Sequence, residues 1–293
     1  MFNIILICGE DYSTNTNGYH HYGFWKKALE NHTDVNLIHW YPWNNWRNMP
    51  TKNVDLYFFL DFRYDLWDLA KYEKLHPRIL YWWDAFHSMF SLVAQIPLVF
   101  DKVYISEYLD VQHLKMCGFN NVEWLSGSFC PDVYKPLNST KQYDLGFVGQ
   151  LDDSVVREKT TRKGLIQGLA QEFNSAVVKD IRGPAVNELY NNSKVMVERT
   201  IFFNTGTRLF ETVGSGGFSL INKCPCYNGL DQLGTDGTHF VTYDDSLEDA
   251  KEKMRYYIKH DTARERIAMA GYTHFINNHT YKHRLDKILK DFS

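Results

Sequence analysis

Short apolar runs that alternate with helix-like stretches are the feature that most constrains the fold of this chain. The first run, Phe2–Cys8, is continuously aliphatic and is followed by a polar loop at 9–18 and a helix-like stretch at 19–30. A continuous apolar run of this kind is typical of a strand buried on both faces of a sheet. Repeated alternation of strands and helices predicts a parallel sheet with right-handed crossovers, and therefore an α/β fold.

The alternation runs through two series. The first series predicts strands at 2–8, 35–39, 54–60, 78–83, 101–105 and 122–125, with helices at 19–30, 64–75, 88–95 and 107–116. The second series predicts strands at 143–149, 176–178, 194–197, 218–221 and 236–243, with helices at 157–173, 186–191, 247–260, 263–275 and 281–292.

The stretch between the two series is rich in turn residues. Residues 126–142 contain two prolines, a glycine and a polar tail, a composition typical of a linker. We therefore predict a first domain at 1–130, a linker at 131–142 and a second domain at 143–293, whose last helix is a candidate to pack back on the first domain. The composition supports two domains, because all eight tryptophans precede residue 125.

The N-terminal segment, the length of the apolar runs and the spacing of the cysteines exclude several protein classes. The N-terminus has no basic region before its short apolar run, and no apolar run reaches the length of about 20 residues that a spanning helix needs. The five cysteines lack framework spacing, and the pair Cys224 and Cys226 has no second pair to complete a zinc site. We expect reduced thiols, no membrane span, no bound metal and a cytoplasmic location; His279 and His283 are interpreted as helix surface.

The stretch 208–218 combines a basic residue, an acidic residue and a glycine-rich turn. Arg208 and Glu211 are three residues apart, so they share one face of a helix. A carboxylate near a ribose and an arginine near a diphosphate are what a nucleotide-sugar site needs. The residues alone also fit a solvated helix with an ion pair and a glycine C-cap, and both interpretations stay open at this point.

An ordered set of motifs in the second half resembles a known family. The motifs are Tyr143–Gly149, Glu188–Val195, Arg208–Glu211 with Gly214 and Gly217, Asp236–Tyr243, Arg266–Gly271, and His279–Tyr281 with Arg284. This set resembles the glycosyltransferase domain of the CgeB-like, spore-maturation group, which is related to the large retaining glycosyltransferase families. The resemblance implies the GT-B fold: two Rossmann-like domains that face each other across a cleft.

The resemblance also implies how a nucleotide-sugar donor binds to the second domain. Glu211 stands at the position that binds the ribose hydroxyls, Arg208 and Arg157 would face the diphosphate, and Gly149 would leave room for the donor. The backbone amides of Gly214, Ser215, Gly216 and Gly217 would cradle the diphosphate at a helix start. The larger families carry a further acidic residue before the counterpart of Glu211, and residues 204–206 (Asn-Thr-Gly) stand in that region here.

Candidates for the catalytic base come from the first domain. Asp84, His20 and His21 all follow the ends of predicted strands, where α/β domains bind ligands. A base is needed for inversion, whereas the departing phosphate can take that role in retention. Asp84 equally fits a helix N-cap, and the two histidines fit an exposed pair. The GT-B plan requires no metal, and the donor itself is the co-substrate.

Three functions are compatible with these observations. The first is transfer of a hexose or pentose from a nucleotide sugar, with a UDP-sugar as the expected donor, to an acceptor hydroxyl with retention of configuration. The acceptor would be a carbohydrate or a small molecule. The second is transfer to hydroxymethylated bases in DNA, as phage-type base glucosyltransferases of this fold perform. The third is non-catalytic binding of a nucleotide sugar.

The first domain carries the features that bear on the acceptor. Trp40, Trp43 and Trp46 lie in a loop-like stretch and are candidates for an exposed platform that stacks on sugar rings or nucleobases. DNA binding normally needs a basic footprint, but residues 1–140 contain 11 basic and 15 acidic side chains.

Overall fold

Parallel strands form two separate sheets in the computed structural model of the chain. The structure describes residues 1–8, 19–42, 48–61, 75–83, 96–151, 161–200, 205–223 and 229–293. The predicted helices at 64–75 and 88–95 fall almost wholly outside these ranges, as do Asp84 and Arg157 of the predicted site.

The first sheet contains six strands. They are β1 (Phe2–Cys8), β2 (Val35–Pro42), β3 (Leu56–Leu60), β4 (Arg78–Trp82), β5 (Lys102–Ile105) and β6 (Val122–Trp124). Their order is β2-β1-β3-β4-β5-β6, and every neighbouring pair is parallel. In the sheet, β2 lies on one side of β1 and β3 lies on its other side. The connections therefore reverse direction between β1 and β3.

The second sheet contains five strands. They are β7 (Tyr143–Val148), β8 (Ser175–Val178), β9 (Ser193–Glu198), β10 (Ser219–Asn222) and β11 (Val241–Tyr243). Their order is β11-β10-β9-β7-β8, again with parallel neighbours. Here the connections reverse direction between β7 and β9, because β8 and β9 flank β7 on opposite sides.

Helices connect the strands of each sheet. The first series has α1 (His21–Glu30), a 3₁₀ turn (Ile96–Leu98) and α2 (Tyr108–Met116). The second has α3 (Arg162–Ala170), α4 (Pro184–Asn192), α5 (Thr207–Gly214), α6 (Leu230–Leu233), α7 (Leu247–Lys259) and α8 (Asp261–Asn278). The chain ends with α9 (Tyr281–Asp291). None of the helices among the described residues is both long and apolar enough to cross a membrane.

Each sheet has its own apolar core. Ile5, Tyr57, Leu80 and Val103 come from central strands of the first sheet and are almost fully buried in one cluster. The second sheet has a corresponding buried cluster, which contains Leu145, Val195 and Leu220 together with apolar side chains of α3 and α7. The strands are continuous apolar runs because the faces of an all-parallel sheet are covered by other parts of the chain.

Contacts divide the chain into two compact units. The first unit comprises Met1–Ser126 and Tyr281–Ser293, and the second comprises Gly127–Thr280. These limits do not follow the predicted domain boundaries residue for residue. Residues 131–142, which the sequence analysis assigns to a linker, lie within the second unit. The last helix, which the predicted second domain includes, belongs to the first unit.

Polar and aromatic contacts attach α9 to the first unit. Tyr281 packs its ring against Phe24 and Trp25 of α1. The Arg284 guanidinium is buried and donates to the carbonyl and the hydroxyl oxygen of Ser126, at 3.0 and 2.8 Å. Burial lowers the pKa of Arg284 to about 10, so the side chain remains charged at neutral pH. Tyr104 of β5 donates to Asp291 at 2.7 Å.

Most predicted elements are confirmed, with ends that move by a few residues. The structure differs most from the prediction at the end of β2. The sequence analysis predicts that this strand ends at residue 39 and that a loop follows. Pairing with β1 instead continues as far as Pro42 opposite Cys8. Trp40 therefore lies in a strand, whereas Trp43 and Trp46 lie outside the described residues. The predicted helix at 157–173 is described as α3 from Arg162 to Ala170.

We expect Arg284→Met to lower the free energy of unfolding by about 2–4 kcal/mol, because two buried oxygens of Ser126 lose a charged donor. Urea unfolding followed by far-ultraviolet circular dichroism measures this change. Lys282→Met is the matched control on the same helix, since its side chain is 67% exposed in an ion pair with Asp286. That control should change the unfolding free energy by less than about 0.5 kcal/mol. Equal effects of the two substitutions would show that the Ser126 contacts contribute nothing.

Candidate functional site

A pocket opens at the carboxyl ends of β7 and β9 in the second unit. The pocket is lined by Phe147, Val148, Arg162, Glu198, Arg199, Thr200, Gly206 and Arg208. β7 and β9 are the two strands between which the chain connections reverse direction. Loops leave the sheet in opposite directions at such a point, which opens a crevice where α/β sheets bind ligands.

The start of α5 forms one wall of the pocket. Gly206 precedes the helix in an extended conformation and, as a glycine, has no side chain to cap the first turn. The first N–H groups of a helix have no partners within the helix, and the helix dipole adds partial positive charge there. A helix start at the edge of a pocket is therefore suited to an anionic ligand.

Arg208 lies in the first turn of α5 and packs over Gly149. A Cβ atom at Gly149 would lie 3.4 Å from the guanidinium carbon of Arg208, in ordinary van der Waals contact with it. Gly149 has a φ of +149°, a backbone conformation that side chains with a Cβ rarely adopt. Within the described residues, the buried Nε of Arg208 has no hydrogen-bond partner. The structure thus brings together two residues that lie almost 60 positions apart in the predicted site.

Glu211 lies one turn after Arg208, as the spacing of three residues predicts. The hydroxyl of Tyr190 donates to its carboxylate at 2.9 Å, and Tyr134 provides a second hydrogen bond. Burial raises the pKa of Glu211, and the neighbouring charge of Arg208 opposes that rise. The carboxylate is therefore oriented by two tyrosines and lies close to one arginine.

Glu198 is a further acidic residue of the pocket, and the sequence analysis does not identify it. It is the last residue of β9, is almost fully buried and accepts a hydrogen bond from the Ser219 hydroxyl at 2.8 Å. Burial raises the pKa of Glu198 to about 7, while Ser219 and the charge of Arg208 act in the opposite direction. Its position at the carboxyl end of a central strand is the one signal in the sequence that points to it.

Two other arginines of the pocket have protein partners. Arg199 forms a paired contact with Asp245, with nitrogen–oxygen distances of 2.8 and 3.0 Å. The Arg162 guanidinium donates to the Arg199 carbonyl at 2.8 and 3.1 Å and to the Gln150 carbonyl at 3.3 Å. These contacts hold both side chains in the lining of the pocket and keep two positive charges there.

The predicted catalytic histidines lie in the first unit, beside α1. His20 precedes the helix and stacks on the ring of Tyr22, with the ring centroids 4.9 Å apart. The Nδ1 atom of His21 is 2.7 Å from the hydroxyl of Tyr281. Tyr22 in turn donates to Asp61 at 3.4 Å, and Asp61 directly follows β3. These groups gather where the connections of the first sheet reverse direction, and Asp61 is a member that the sequence analysis misses.

The comparison with protein families identifies the chain. The family described as glycosyl transferase-like matches residues 136–290, which is just over half of the sequence. The chain belongs to this glycosyl transferase-like family. A search of curated proteins finds no match.

Several solved glycosyltransferase structures have the same fold along almost the whole chain. Sucrose-phosphate synthase from Thermosynechococcus elongatus aligns with a TM-score of 0.65 at 9% identity, over 99% of this chain and 98% of that chain. The Anabaena protein HepE in complex with UDP-glucose gives 0.65 at 11% identity, over 98% of both chains. A DNA-modifying β-glucosyltransferase gives 0.60 at 11% identity, over 99% of both chains.

The fold class is therefore confirmed, since two parallel-sheet Rossmann-like units and GT-B structural neighbours occur together. The chain is a glycosyltransferase. Its family match spans the whole pocket described above, from β7 to α5 and beyond.

The glycine-rich turn of this glycosyltransferase does not have the geometry that the sequence analysis expects. Residues 214–217 follow the end of α5 rather than its start, and the pocket residues of α5 lie at the opposite end. The N–H groups of Ser215, Gly216 and Gly217 already donate to carbonyls in the last turn of α5. The prediction of a diphosphate cradle at Gly214–Gly217 is therefore wrong, because these amides close the helix.

Packing explains the glycine at position 214. A Cβ atom there would overlap the ring of Phe129, which is fully buried. At Gly217, a Cβ atom would come within 2.9 Å of the Thr212 carbonyl oxygen. Gly216 has a φ of +70°, as a glycine that ends a helix commonly does.

The interpretation of His279 as helix surface is also wrong. His279 is buried after α8, and its Nε2 atom is 3.1 Å from the Leu233 carbonyl oxygen. His274 approaches the same carbonyl at 3.0 Å. Among the residues that the structure describes, no group of three or more histidine, cysteine or acidic side chains is arranged to hold a metal.

We expect Gly214→Ala to destabilise the protein by about 1–3 kcal/mol, because the added methyl group displaces the Phe129 ring from a packed site. Gly164→Ala is the control, since its new Cβ atom would meet only the Thr161 hydroxyl at 3.0 Å on the surface of α3. Thermal melting of both variants measures the difference. An unchanged melting temperature for Gly214→Ala would contradict the packing role.

Proposed function

We propose that this glycosyltransferase moves a hexose or pentose from a UDP-sugar to an acceptor hydroxyl, with retention of configuration. The observation that carries the proposal is the combination of a helix start that lines the pocket, the guanidinium of Arg208 over Gly149, and the carboxylate of Glu211 one turn further along the same helix. We further propose that the chain belongs, within its family, to the CgeB-like group; the resemblance of the ordered motifs in its second half supports this proposal.

The residues of the pocket fit the parts of a nucleotide sugar. Glu211, oriented by Tyr190, would accept hydrogen bonds from the ribose hydroxyls. Arg208 and the first N–H groups of α5 would meet the diphosphate charge, and Arg157, outside the described residues, is a further candidate cation. Gly149 would leave the space that the donor needs beside Arg208. Uridine is proposed as the base because HepE and the DNA-modifying β-glucosyltransferase, which share the fold, have been solved with UDP-glucose.

Charge stabilisation is the main chemical task of this site. The leaving group is a nucleoside diphosphate, whose developing charge a guanidinium and helix N–H groups stabilise. In a retaining reaction the departing phosphate can accept the proton of the acceptor hydroxyl. Asp84, His20 and His21 are the proposed bases if the acceptor is instead deprotonated by the protein. The anomeric configuration of the product, read by proton NMR, separates the two routes.

A panel of UDP- and GDP-sugars tested by calorimetry decides whether the pocket binds a donor. We expect at least one UDP-sugar to bind, with the same affinity in Mg²⁺ and in EDTA, because arginine and helix N–H groups meet the diphosphate charge. Failure of every donor to bind would overturn the proposed function. Turnover or donor hydrolysis distinguishes an enzyme from a non-catalytic binding protein of the same fold.

Three substitutions test the residue assignments. We expect Arg208→Ala and Glu211→Ala each to weaken UDP-sugar binding about 10- to 100-fold, because each loses charge-assisted hydrogen bonds worth roughly 1.5–3 kcal/mol. Gly149→Ala should also weaken binding, because a side chain with a Cβ strains the backbone at its φ of +149° and takes up space beside Arg208. Arg255→Ala is the control, because its ion pair with Glu172 lies on the exposed surface of the same unit. Unchanged affinity of Glu211→Ala would refute the ribose assignment.

Transfer to hydroxymethylated DNA is the second candidate function. The observation in its favour is that the DNA-modifying β-glucosyltransferase aligns with this chain over 99% of both lengths. The acidic balance of residues 1–140 opposes it. Assaying the preferred donor with duplex DNA that contains hydroxymethylcytosine, with unmodified DNA, and with a panel of mono- and oligosaccharides decides between them. We expect transfer to carbohydrate and none to either DNA.

A further inference from the structure

One arginine of the donor pocket lies near two buried carboxyl groups. Arg208 shares the pocket with Glu198, and its charge favours the ionised forms of both Glu198 and Glu211. Neither carboxylate forms an ion pair with it among the contacts that the structure gives. The Nε of Arg208 is buried without a hydrogen-bond partner among the described residues. The guanidinium is therefore attracted by the two carboxylates, but neither of them accepts a hydrogen bond from its Nε.

The two carboxyl groups have different surroundings. Glu211 receives hydrogen bonds from two tyrosine hydroxyls, an arrangement that favours an ionised acceptor. Glu198 accepts a hydrogen bond from the Ser219 hydroxyl, the nearby Thr212 hydroxyl also favours its ionised form, and the residue is 5% exposed. At Glu211 the charge of Arg208 is the largest influence that opposes burial, whereas at Glu198 it comes after the Ser219 hydrogen bond. Glu198 is therefore the member of the pair that holds a proton more readily.

In the part of the chain that the structure describes, few charged and titratable groups face Glu198 from the elements around it. They are Arg208 and Glu211 of α5, Tyr190 of α4, Tyr243 of β11, and Arg162 and Arg199 on the pocket wall. Burial raises the pKa of both tyrosines well above the usual value, so they stay neutral. Arg162 and Arg199 are held by a backbone carbonyl and by Asp245.

We propose that Glu198 is a positioning residue of the donor site: it takes up a proton from solvent as the donor diphosphate binds, which leaves Arg208 to the diphosphate. This inference rests on the proposed function of the pocket. In the empty site the ionised Glu198 carboxylate attracts Arg208. In the occupied site the negative diphosphate takes over that attraction, and the neutral carboxyl group avoids repulsion between two anions in a dry pocket.

Thermodynamic linkage gives the direction of the effect. An anion that binds near Glu198 raises the pKa of that carboxyl group, which is about 7 in the empty site. Binding is then accompanied by proton uptake, and affinity decreases as the pH rises above the pKa of the empty site. Below that pKa the carboxyl group is already neutral, so affinity no longer depends on its titration.

Calorimetric titration of the wild type with UDP-glucose, from about pH 6 to about pH 8.5, tests the inference. UDP-glucose is chosen because it contains no phosphate monoester, whose own titration near pH 6 would confuse the result. Two buffers of different ionisation enthalpy at each pH give the number of protons bound. We expect net proton uptake above pH 7 and an affinity roughly tenfold weaker at the upper end of the range.

Glu198→Gln keeps the shape of the protonated side chain and cannot titrate. We expect its affinity for UDP-glucose to be independent of pH and its proton uptake to disappear. Glu211→Gln is the contrast: it should bind more weakly at every pH and still take up a proton, with the uptake moved to lower pH because the charge of Glu211 raises the pKa of Glu198. A structural role of Glu198 alone would lower affinity equally at all pH values and would leave the proton count unchanged.

Ser219→Ala offers a second route if Glu198→Gln fails to fold. The Ser219 hydroxyl stabilises the ionised form of Glu198, so its loss should raise the pKa of Glu198 and move the decrease in affinity to higher pH.

Two results would count against the proposal in different ways. The role of Glu198 is overturned if UDP-glucose binds the wild type without proton uptake, or if proton uptake is equal in the wild type and in Glu198→Gln. Either result leaves the donor site intact. Failure of all UDP- and GDP-sugars to bind overturns the proposed function, and with it this inference.

Discussion

The parallel pairing of β7 with β8 on one side and β9 on the other is the constraint on which the site depends. This order makes the chain leave the sheet in opposite directions at the carboxyl ends of β7 and β9, and so opens the pocket between them. Gly149 follows β7, Glu198 ends β9, and the chain after β9 leads into α5 with Arg208 and Glu211. All four residues are positioned by the same pair of strands.

Electrostatics in the pocket follow from this geometry. Carboxyl groups at the end of a central strand and in the first turns of a packed helix lose much of their hydration, and burial raises the pKa of each. The positive charge of Arg208 and of the helix start compensates only part of that cost. Hydroxyl donors of a ligand would supply hydrogen bonds to a carboxylate, and a negative group of the same ligand would meet the positive charge of Arg208 and of the helix start. This is why the site is better explained by a nucleotide sugar than by a structural ion pair.

Much of the fold was predictable because parallel strands are buried on both faces and therefore appear as apolar runs. β1 and β7 match their predicted ranges almost residue for residue. The end of β2 was not predictable, since Trp40 to Pro42 has the composition of a turn, and pairing with β1 overrides that preference. The role of residues 214–217 was misjudged for a related reason. Glycines mark both ends of helices, and only the hydrogen bonds of their amides show that these close α5.

The sequence by itself determined the α/β class, the two series of strands and the nearness of Arg208 to Glu211, because periodicity and short-range spacing fix these features. The tertiary structure alone decided that Gly149 lies under Arg208 and that Glu198 belongs to the same pocket. It also decided that α9 belongs to the first unit, although the chain reaches it after the second. These relations join residues far apart in the chain. They depend on strand order and helix packing, and a single sequence does not record either.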